Sequence, residues 1–260
     1  MAPDGLGGTG RETLPIVYRD EWLIAIHKPA GLLVHRSDLD RHETRFAVQL
    51  LRDQIGRPVW PAHRLDRGTS GLLLFALDRD TGRSLGGQFE RGEVEKTYLA
   101  VVRGFPPESG EIDHALAPLA DERAGLLPGR APQPAMTRFR RLATVELPHR
   151  VDRYPTSRYA LVELSPLTGR RHQLRRHMKH IAHPVIGDAT HGKGNHNRLF
   201  QELFGCRRML LAALEMRLRH PVSGEPLTLR APLAGDFADL LEQLGWDRLV
   251  WNRSGPASSQ

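Results

Sequence analysis

His63-Arg64-Leu65-Asp66-Arg67-Gly68-Thr69-Ser70-Gly71, followed by the apolar run Leu72–Leu77, sets one acid among arginines just before a segment that reads as a buried strand. Arg64 and Arg67, two and one positions from Asp66, favour its charged form, and Gly68, Thr69 and Ser70 offer backbone and hydroxyl donors to hold it still. An ionised acid so held serves as nucleophile, base or electrostatic stabiliser and is a poor proton donor. From this stretch alone, a structural ion pair at a strand entrance reads equally well.

Working outward, Pro15–Tyr18 and Trp22–Ile26 read as short strands around a turn at Asp20-Glu21, and Lys28-Pro29-Ala30-Gly31 punctuates the chain before Leu32–Val34. Apolar spacing predicts a helix over Phe46–Ile55, stopped by Gly56-Arg57-Pro58, and another over Thr81–Arg91. Lys96–Arg103 reads as a strand. Residues 105–134, rich in Pro, Gly and Ala without a period, read as a long connection with little regular structure. Strand-like patterning returns at Thr137–Leu147 and Arg158–Leu164, and Thr168-Gly169 turns the chain into a strongly basic helix. An apolar, helix-like run follows at Leu210–Leu218, then a short strand at Pro226–Arg230 and an amphipathic closing helix at Asp236–Leu244. Interleaved strands and helices without an internal repeat predict a mixed α+β architecture.

All but four of the 37 Lys and Arg residues are arginine, the exceptions being Lys28, Lys96, Lys179 and Lys193, and the formal charge is +7. Arginine grips phosphate with a planar fork and stacks on bases, so this balance favours a polyanionic partner; arginine-biased coding accounts for part of the excess but not for its clustering. A length of 260 residues with 40% hydrophobic and 26% charged residues fits one main folded domain. Cys206, the single cysteine, excludes an internal disulfide framework and reads as a partly buried structural thiol. The sequence has no apolar run of membrane-spanning length and no signal-peptide pattern, so a cytoplasmic location is expected.

In the basic helix, Gly169–Ile181, the residues Leu174, Met178 and Ile181 share an arc that packs on the core. Arg175 lies to one side, placed to enter a cleft, while Arg176, His177 and His180 lie toward the opposite face. Taken alone, such a helix reads better as a solvated charged face. His172, His177, His180 and His183 lack the Cys pair or carboxylate that completes a zinc pattern; they read as basic-face or phosphate-contacting groups, and no metal is expected. Gly187–Gly194 approaches the phosphate loop GxxxxGK[ST], but Gly194 stands where a hydroxyl would bind magnesium, so the match reads as coincidence. His63–Asp66 and Asp236-Phe237-Ala238 are wrongly spaced for kinase elements, and no GxSxG elbow anchors a hydrolase triad.

Four blocks in order, LPIVYRDEWLIAIHKPAGLLVH (14–35), HRLDRGTSGLLLFAL (63–77), KTYLAVVRG (96–104) and LTGRRHQLRRHMKHIAHPVIGD (167–188), resemble the RluA-type pseudouridine synthases. The resemblance covers roughly residues 14–250; residues 1–13, rich in Gly and polar residues, read as a disordered leader and 251–260 are expected to form a flexible tail. It implies the pseudouridine synthase fold, α+β, a mixed and largely antiparallel sheet with flanking helices and Asp66 in a central basic cleft. The implied reaction isomerises uridine in RNA. Asp66 matches the family's essential aspartate, Arg175 the arginine that pairs with it, and Tyr98 the aromatic on which the flipped base stacks. Arg64 matches the residue that enters the RNA stack, and His63, Arg67, Arg170, Arg171, His172 and Arg176 are the further candidates for RNA binding. PQPAMTRFR (132–140) and the stretch 153–177 are most similar to a branch acting on tRNA, which implies uridine 65, near the junction of acceptor and T stems.

The chain departs from the family at His27, where Asn is common, and at Leu211-Ala212-Ala213, where Leu-His-Ala is expected. Only about a dozen residues precede the first block, so RNA is expected to be gripped by the catalytic domain, through the basic helix and the connection 105–134. The reaction is redox-neutral and needs no activated phosphate, so the resemblance implies no cofactor. The expected partner is RNA, tRNA first, with no DNA and no membrane, the protein acting as a monomer. A ribosomal RNA target, a non-catalytic RNA-binding role and, more distantly, a metal-dependent nuclease are the competing readings.

Overall fold

Residue pairing across one mixed sheet brings the Asp66 loop, the start of the basic helix and Tyr98 to the same region of a computed structural model, which describes residues 12–36, 43–119 and 131–251. The expected leader up to residue 11, residues 120–130 of the long connection and the tail from 252 lie outside the described residues. In chain order the elements are β1 (Ile16–Arg19), β2 (Leu23–Lys28), α1 (Ala47–Ile55), β3 (Trp60–Pro61), β4 (Ser70–Ala76), α2 (Arg79–Glu90), β5 (Glu95–Arg103) and β6 (Ser109–Asp113). They continue with β7 (Met136–Leu147), β8 (Ser157–Pro166), α3 (Gln173–His180), α4 (Gly194–Phe204), β9 (Leu211–Arg219), β10 (Pro226–Arg230), α5 (Asp236–Gln243) and α6 (Asp247–Trp251).

The strand order is β1-β2-β4-β9-β5-β8-β7-β6, with β3 also on β4 and β10 also on β9. Every named pairing is antiparallel except β4 with β9, where Ser70 lies beside Ala212 and Gly71 beside Ala213. The helix-like reading of Leu210–Leu218 is therefore wrong: β9 lies between β4 and β5. Leu, Ala, Glu and Met favour helix in isolation, but a strand with a partner on each side hydrogen-bonds its backbone across both edges, and that tertiary context overrides propensity. The connection 105–134 is also less irregular than its composition implies. It contributes β6, an edge strand on β7 in which only Ile112 is buried, too short an apolar signal to stand out.

Alternation along β5 divides the core. Leu99 and Val101 join Phe200 of α4 and Phe237 and Leu240 of α5, whereas Ala100 and Val102 join Leu174 and Met178 of α3. A third cluster packs β2 and β4 against Leu51 of α1 and Leu85 of α2. β4 is buried along its whole length, as its apolar run requires. The expected stripe of α3 holds, but His177 does not lie on the solvated face. It is fully buried, with Nδ1 at 2.9 Å from the Thr137 hydroxyl and Nε2 at 3.0 Å from the His114 carbonyl, so it joins helix to sheet.

Gly71 fixes where the Asp66 loop enters the sheet. Its φ is +100°, and a Cβ there would stand 2.1 Å from the Ala213 carbonyl oxygen, so only glycine allows β4 and β9 to approach. Ala213 also pairs with Tyr98 on β5. Gly71, Ala213 and Tyr98 thus form a row across three strands, which sets the aromatic beside the mouth of the Asp66 loop.

Candidate active site

Asp66 stands in a tight turn in which the Thr69 N–H donates to the Asp66 backbone carbonyl at 3.0 Å. The turn is pinned from below. The Gly31 N–H donates to the Arg67 carbonyl at 2.8 Å, and the fully buried Lys28 ammonium donates to the carbonyls of Pro29 (2.9 Å), Leu32 (2.8 Å) and Arg67 (3.3 Å). Burial, then repulsion from Arg208, pushes Lys28 down to about 7, opposed by the Asp66 carboxylate. Arg208 itself donates to the Ser70 hydroxyl at 2.5 Å and to the Met209 carbonyl at 3.1 Å, tying the start of β4 to the segment entering β9.

The cation that meets Asp66 comes from far along the chain. Arg175, in the first turn of α3, donates from Nη1 to Asp66 Oδ2 at 3.0 Å. Its Nε and Nη2 grip both oxygens of Asp188 at 2.7 and 2.8 Å, a bidentate geometry that fixes the guanidinium plane. Asp188 is buried and also accepts the N–H groups of Thr190 and His191, each at 2.9 Å. Burial opposes its charge, yet Arg175 and these donors hold its carboxyl below the usual range; burial likewise opposes the charge of Arg175, which Asp188 and Asp66 hold above its ordinary value. Asn197 completes the loop, accepting the Gly187 N–H at 2.7 Å and donating to the Asp188 carbonyl at 3.1 Å.

His172 precedes α3 in the left-handed conformation, φ 55°. Its Nε2 is 3.9 Å from Asp66 Oδ1, and its Nδ1 is 3.1 Å from His191 Nε2. Burial pushes this imidazole down to about 4, overriding the Asp66 charge that favours protonation. Burial and then the Asp66 charge push the Tyr98 phenol up, so it stays neutral.

The remaining sequence candidates divide. Arg67 does not flank the Asp66 carboxylate: it pairs with Glu43 and donates to the Gly31 carbonyl at 3.1 Å, because its side chain turns toward the neighbouring loop. Ser70 faces Arg208 rather than Asp66. His63 stacks on Phe89 at 5.2 Å and accepts the Leu74 N–H on Nε2 at 3.2 Å; burial, then Lys96, pushes it down to about 4, so it is neutral packing at the back of the loop. Arg64 is exposed, Arg170 donates to the Pro134 carbonyl at 3.1 Å, Arg171 is partly buried, and Arg176 donates to the Ala117 carbonyl at 2.9 Å. His183 contacts the Arg103 carbonyl at 2.8 Å and His180 stacks on His114 at 3.7 Å. Of the departures noted in the sequence, Ala212 is buried beside Ser70 and His27 is partly buried on β2.

Sequence reasoning missed Asp188, His191, Lys28 and Arg208 as site residues. Asp188 and His191 lie in the stretch read as a failed phosphate loop, and a carboxylate following Gly187 was the one available signal.

A sheet of this topology with an acid, a doubly bound arginine and a neutral tyrosine at one place defines a pseudouridine synthase fold: the structure matches Human RNA Pseudouridylate Synthase Domain Containing 4 with TM-score 0.67 and 26% identity, covering 89% of this chain and 93% of that one. Human RNA Pseudouridylate Synthase Domain Containing 1 matches with TM-score 0.64 and 27% identity over the whole of both chains. Residues 22–180 match the RNA pseudouridylate synthase family, and the chain belongs to that family of isomerases. It is 52% identical over 239 residues to tRNA pseudouridine synthase C of Yersinia pestis, covering 91% of this chain and 93% of that one, and 50% identical to tRNA pseudouridine synthase C of Vibrio cholerae, covering 90% and 96%. It is equally similar, at 52%, to the protein of that name from Pectobacterium carotovorum, of which the match spans 64%.

Proposed function

We propose that this protein converts uridine 65 of tRNA to pseudouridine, with Asp66 as the catalytic carboxylate. The observation that carries the reading is the Asp66–Arg175–Asp188 chain, a reactive carboxylate with one oxygen bound by a cation that is itself fixed by a second, buried acid. The tRNA target is supported by the relatives at about half identity over nine-tenths of the chain.

In this reading the bond between ribose C1′ and N1 breaks, uracil leaves as an anion, the base turns, and C5 bonds to C1′; the C5 proton then departs and N1 gains one. Asp66 acts on the ribose through Oδ1, the oxygen not held by Arg175, either by attacking C1′ to form an ester bond that C5 then displaces, or by removing a ribose proton that it returns as C5 joins C1′. Arg175 stabilises the carboxylate and orients it. Tyr98 offers a neutral ring on which the displaced base stacks, a contact worth about 1–3 kcal/mol. Arg64 enters the space left by the flipped nucleotide, offsetting part of an unstacking cost of a few kcal/mol, and Arg170, Arg171 and Arg176 contact phosphates around a basic cleft. Unmodified tRNA transcripts incubated with the protein, labelled with carbodiimide and copied by primer extension, are expected to show a stop at position 65 that Asp66→Ala removes. A stop elsewhere in tRNA would reject the position, a stop confined to ribosomal RNA fragments would reject the substrate class, and no stop on either would leave RNA binding as the better reading.

A further inference from the structure

We infer that His172 is a further catalytic residue, its imidazole holding the ribose of the target uridine beside the Asp66 oxygen that Arg175 leaves open. The inference deepens the proposed function and rests on it. Arg175 occupies Oδ2 of Asp66 at 3.0 Å, so Oδ1 is the oxygen open to substrate. His172 Nε2 lies 3.9 Å from that oxygen, too far for a hydrogen bond, and both side chains keep about a fifth of their surface exposed (18% and 21%). At that separation an atom placed between the two lies within hydrogen-bonding distance of both Oδ1 and His172 Nε2, and the atoms Asp66 acts on belong to the ribose.

The ring is built to stay there. His172 and Ala182 are the only non-glycine residues with positive φ among those described, and a left-handed histidine persists only where its surroundings fix it. His191 supplies that restraint, its ring edge-on to His172 with centroids 5.3 Å apart and nitrogens 3.1 Å apart. The same loop holds both partners of Asp66: Asp188 grips Arg175, and His191 grips His172. The Asp66 carboxylate facing Nε2 favours the tautomer that carries the proton there, which leaves Nδ1 to accept from His191 Nε2–H and presents His172 Nε2–H toward Asp66 and the ribose. A neutral ring, kept so by burial with Arg175, Arg171 and His191 nearby, is suited to a hydrogen bond with a hydroxyl rather than to an ion pair with phosphate.

The test compares His172→Gln, which returns an amide donor near the Nε2 position, with His172→Asn, which tolerates the left-handed backbone but is too short, and with His172→Gly, which relieves the backbone altogether. Single-turnover pseudouridine formation at saturating tRNA and the Kd for tRNA are measured for each, with thermal unfolding as a check on folding. The expected result is a rate lowered by about tenfold or more in Asn and Gly, largely restored in Gln, with Kd changed by less than about threefold. Equal rates in all four proteins, equal losses in Gln and Gly, or a loss confined to Kd would overturn the inference. Failure of the unaltered protein to make pseudouridine in any RNA would overturn the proposed function and this inference with it.

Discussion

The loops 63–71 and 187–194 meet the same arginine from opposite sides, yet they are made differently. The first is held by its own backbone carbonyls: Asp66 accepts the Thr69 N–H to close the turn, and Arg67 accepts the Gly31 N–H and the Lys28 ammonium. The second is organised around one buried carboxylate, Asp188, which accepts two N–H groups and both arms of Arg175. The exposed side of the pair offers an acid with an open oxygen, while the buried side spends all of its acid on fixing the cation. Two aspartates within reach of one guanidinium thus differ in burial and in the number of donors each receives.

Removing the buried member should have the largest effect on the fold. Asp188→Ala leaves Arg175 in a buried site without its bidentate partner, and is expected to lower stability by about 3–5 kcal/mol in urea unfolding and to lower turnover as well. Should Asp188→Ala unfold at the same urea concentration as the unaltered protein, the two loops would not differ as described.

Gly71→Ala probes the contact that brings β4 to β9. The added Cβ would meet the Ala213 carbonyl at 2.1 Å in a backbone conformation unfavourable to alanine, and a loss of about 2–3 kcal/mol is expected from thermal or urea unfolding. A neutral result would mean that the loop mouth adapts.

Acid sensitivity sharpens the comparison, because one titrating group sits behind the first loop and one beside both. Burial holds His63 and His172 down to about 4, below the 6.5 usual for an imidazole in an open chain. Between those values the unfolded chain binds more protons than the folded one, so stability rises with pH from about 4 to 6.5 and is lost as pH falls through that window. His63→Gln, which keeps an acceptor for the Leu74 N–H, should shrink the difference in urea midpoint between pH 7 and pH 5; an unchanged difference would remove His63 from this balance.

Arg67→Ala should matter least. Its ion pair with Glu43 is exposed, and a stability change of less than about 1 kcal/mol is expected from the same unfolding measurement. A large loss of turnover with unchanged stability would instead return Arg67 to the RNA-binding surface that sequence alone assigned it.

What sequence could and could not show follows from the range of the interactions. The Asp66 loop, the buried strand after it, the two amphipathic helices at 47–55 and 79–90 and the core stripe of α3 are local patterns, and each is where periodicity and turn residues put it. The counter-charge of Asp66 is not local. The neighbours in sequence, Arg64 and Arg67, looked sufficient, but the turn sends Arg67 to Glu43 and the pair is completed by Arg175, across 109 positions. Only the family resemblance pointed to Arg175 as that partner. The composition of β9 favours helix, whereas its place between β4 and β5 is decided by parts of the chain remote from it. The loop 187–194 reads in sequence as a chance likeness to a phosphate loop, which leaves Asp188 without a role there; the physical signal is an acid that needs a buried cation.

The most direct test of the central claim is release of tritium from tRNA carrying uridine labelled at C5, since joining C5 to the ribose expels that hydrogen. Asp66→Asn keeps the size of the side chain and removes the charge, and the Arg175–Asp188 clamp remains. The expected result is release by the unaltered protein and none above background by Asp66→Asn, with tRNA binding nearly intact. Release by Asp66→Asn at an appreciable fraction of the normal rate would contradict the assignment of Asp66 as the group that acts on the ribose.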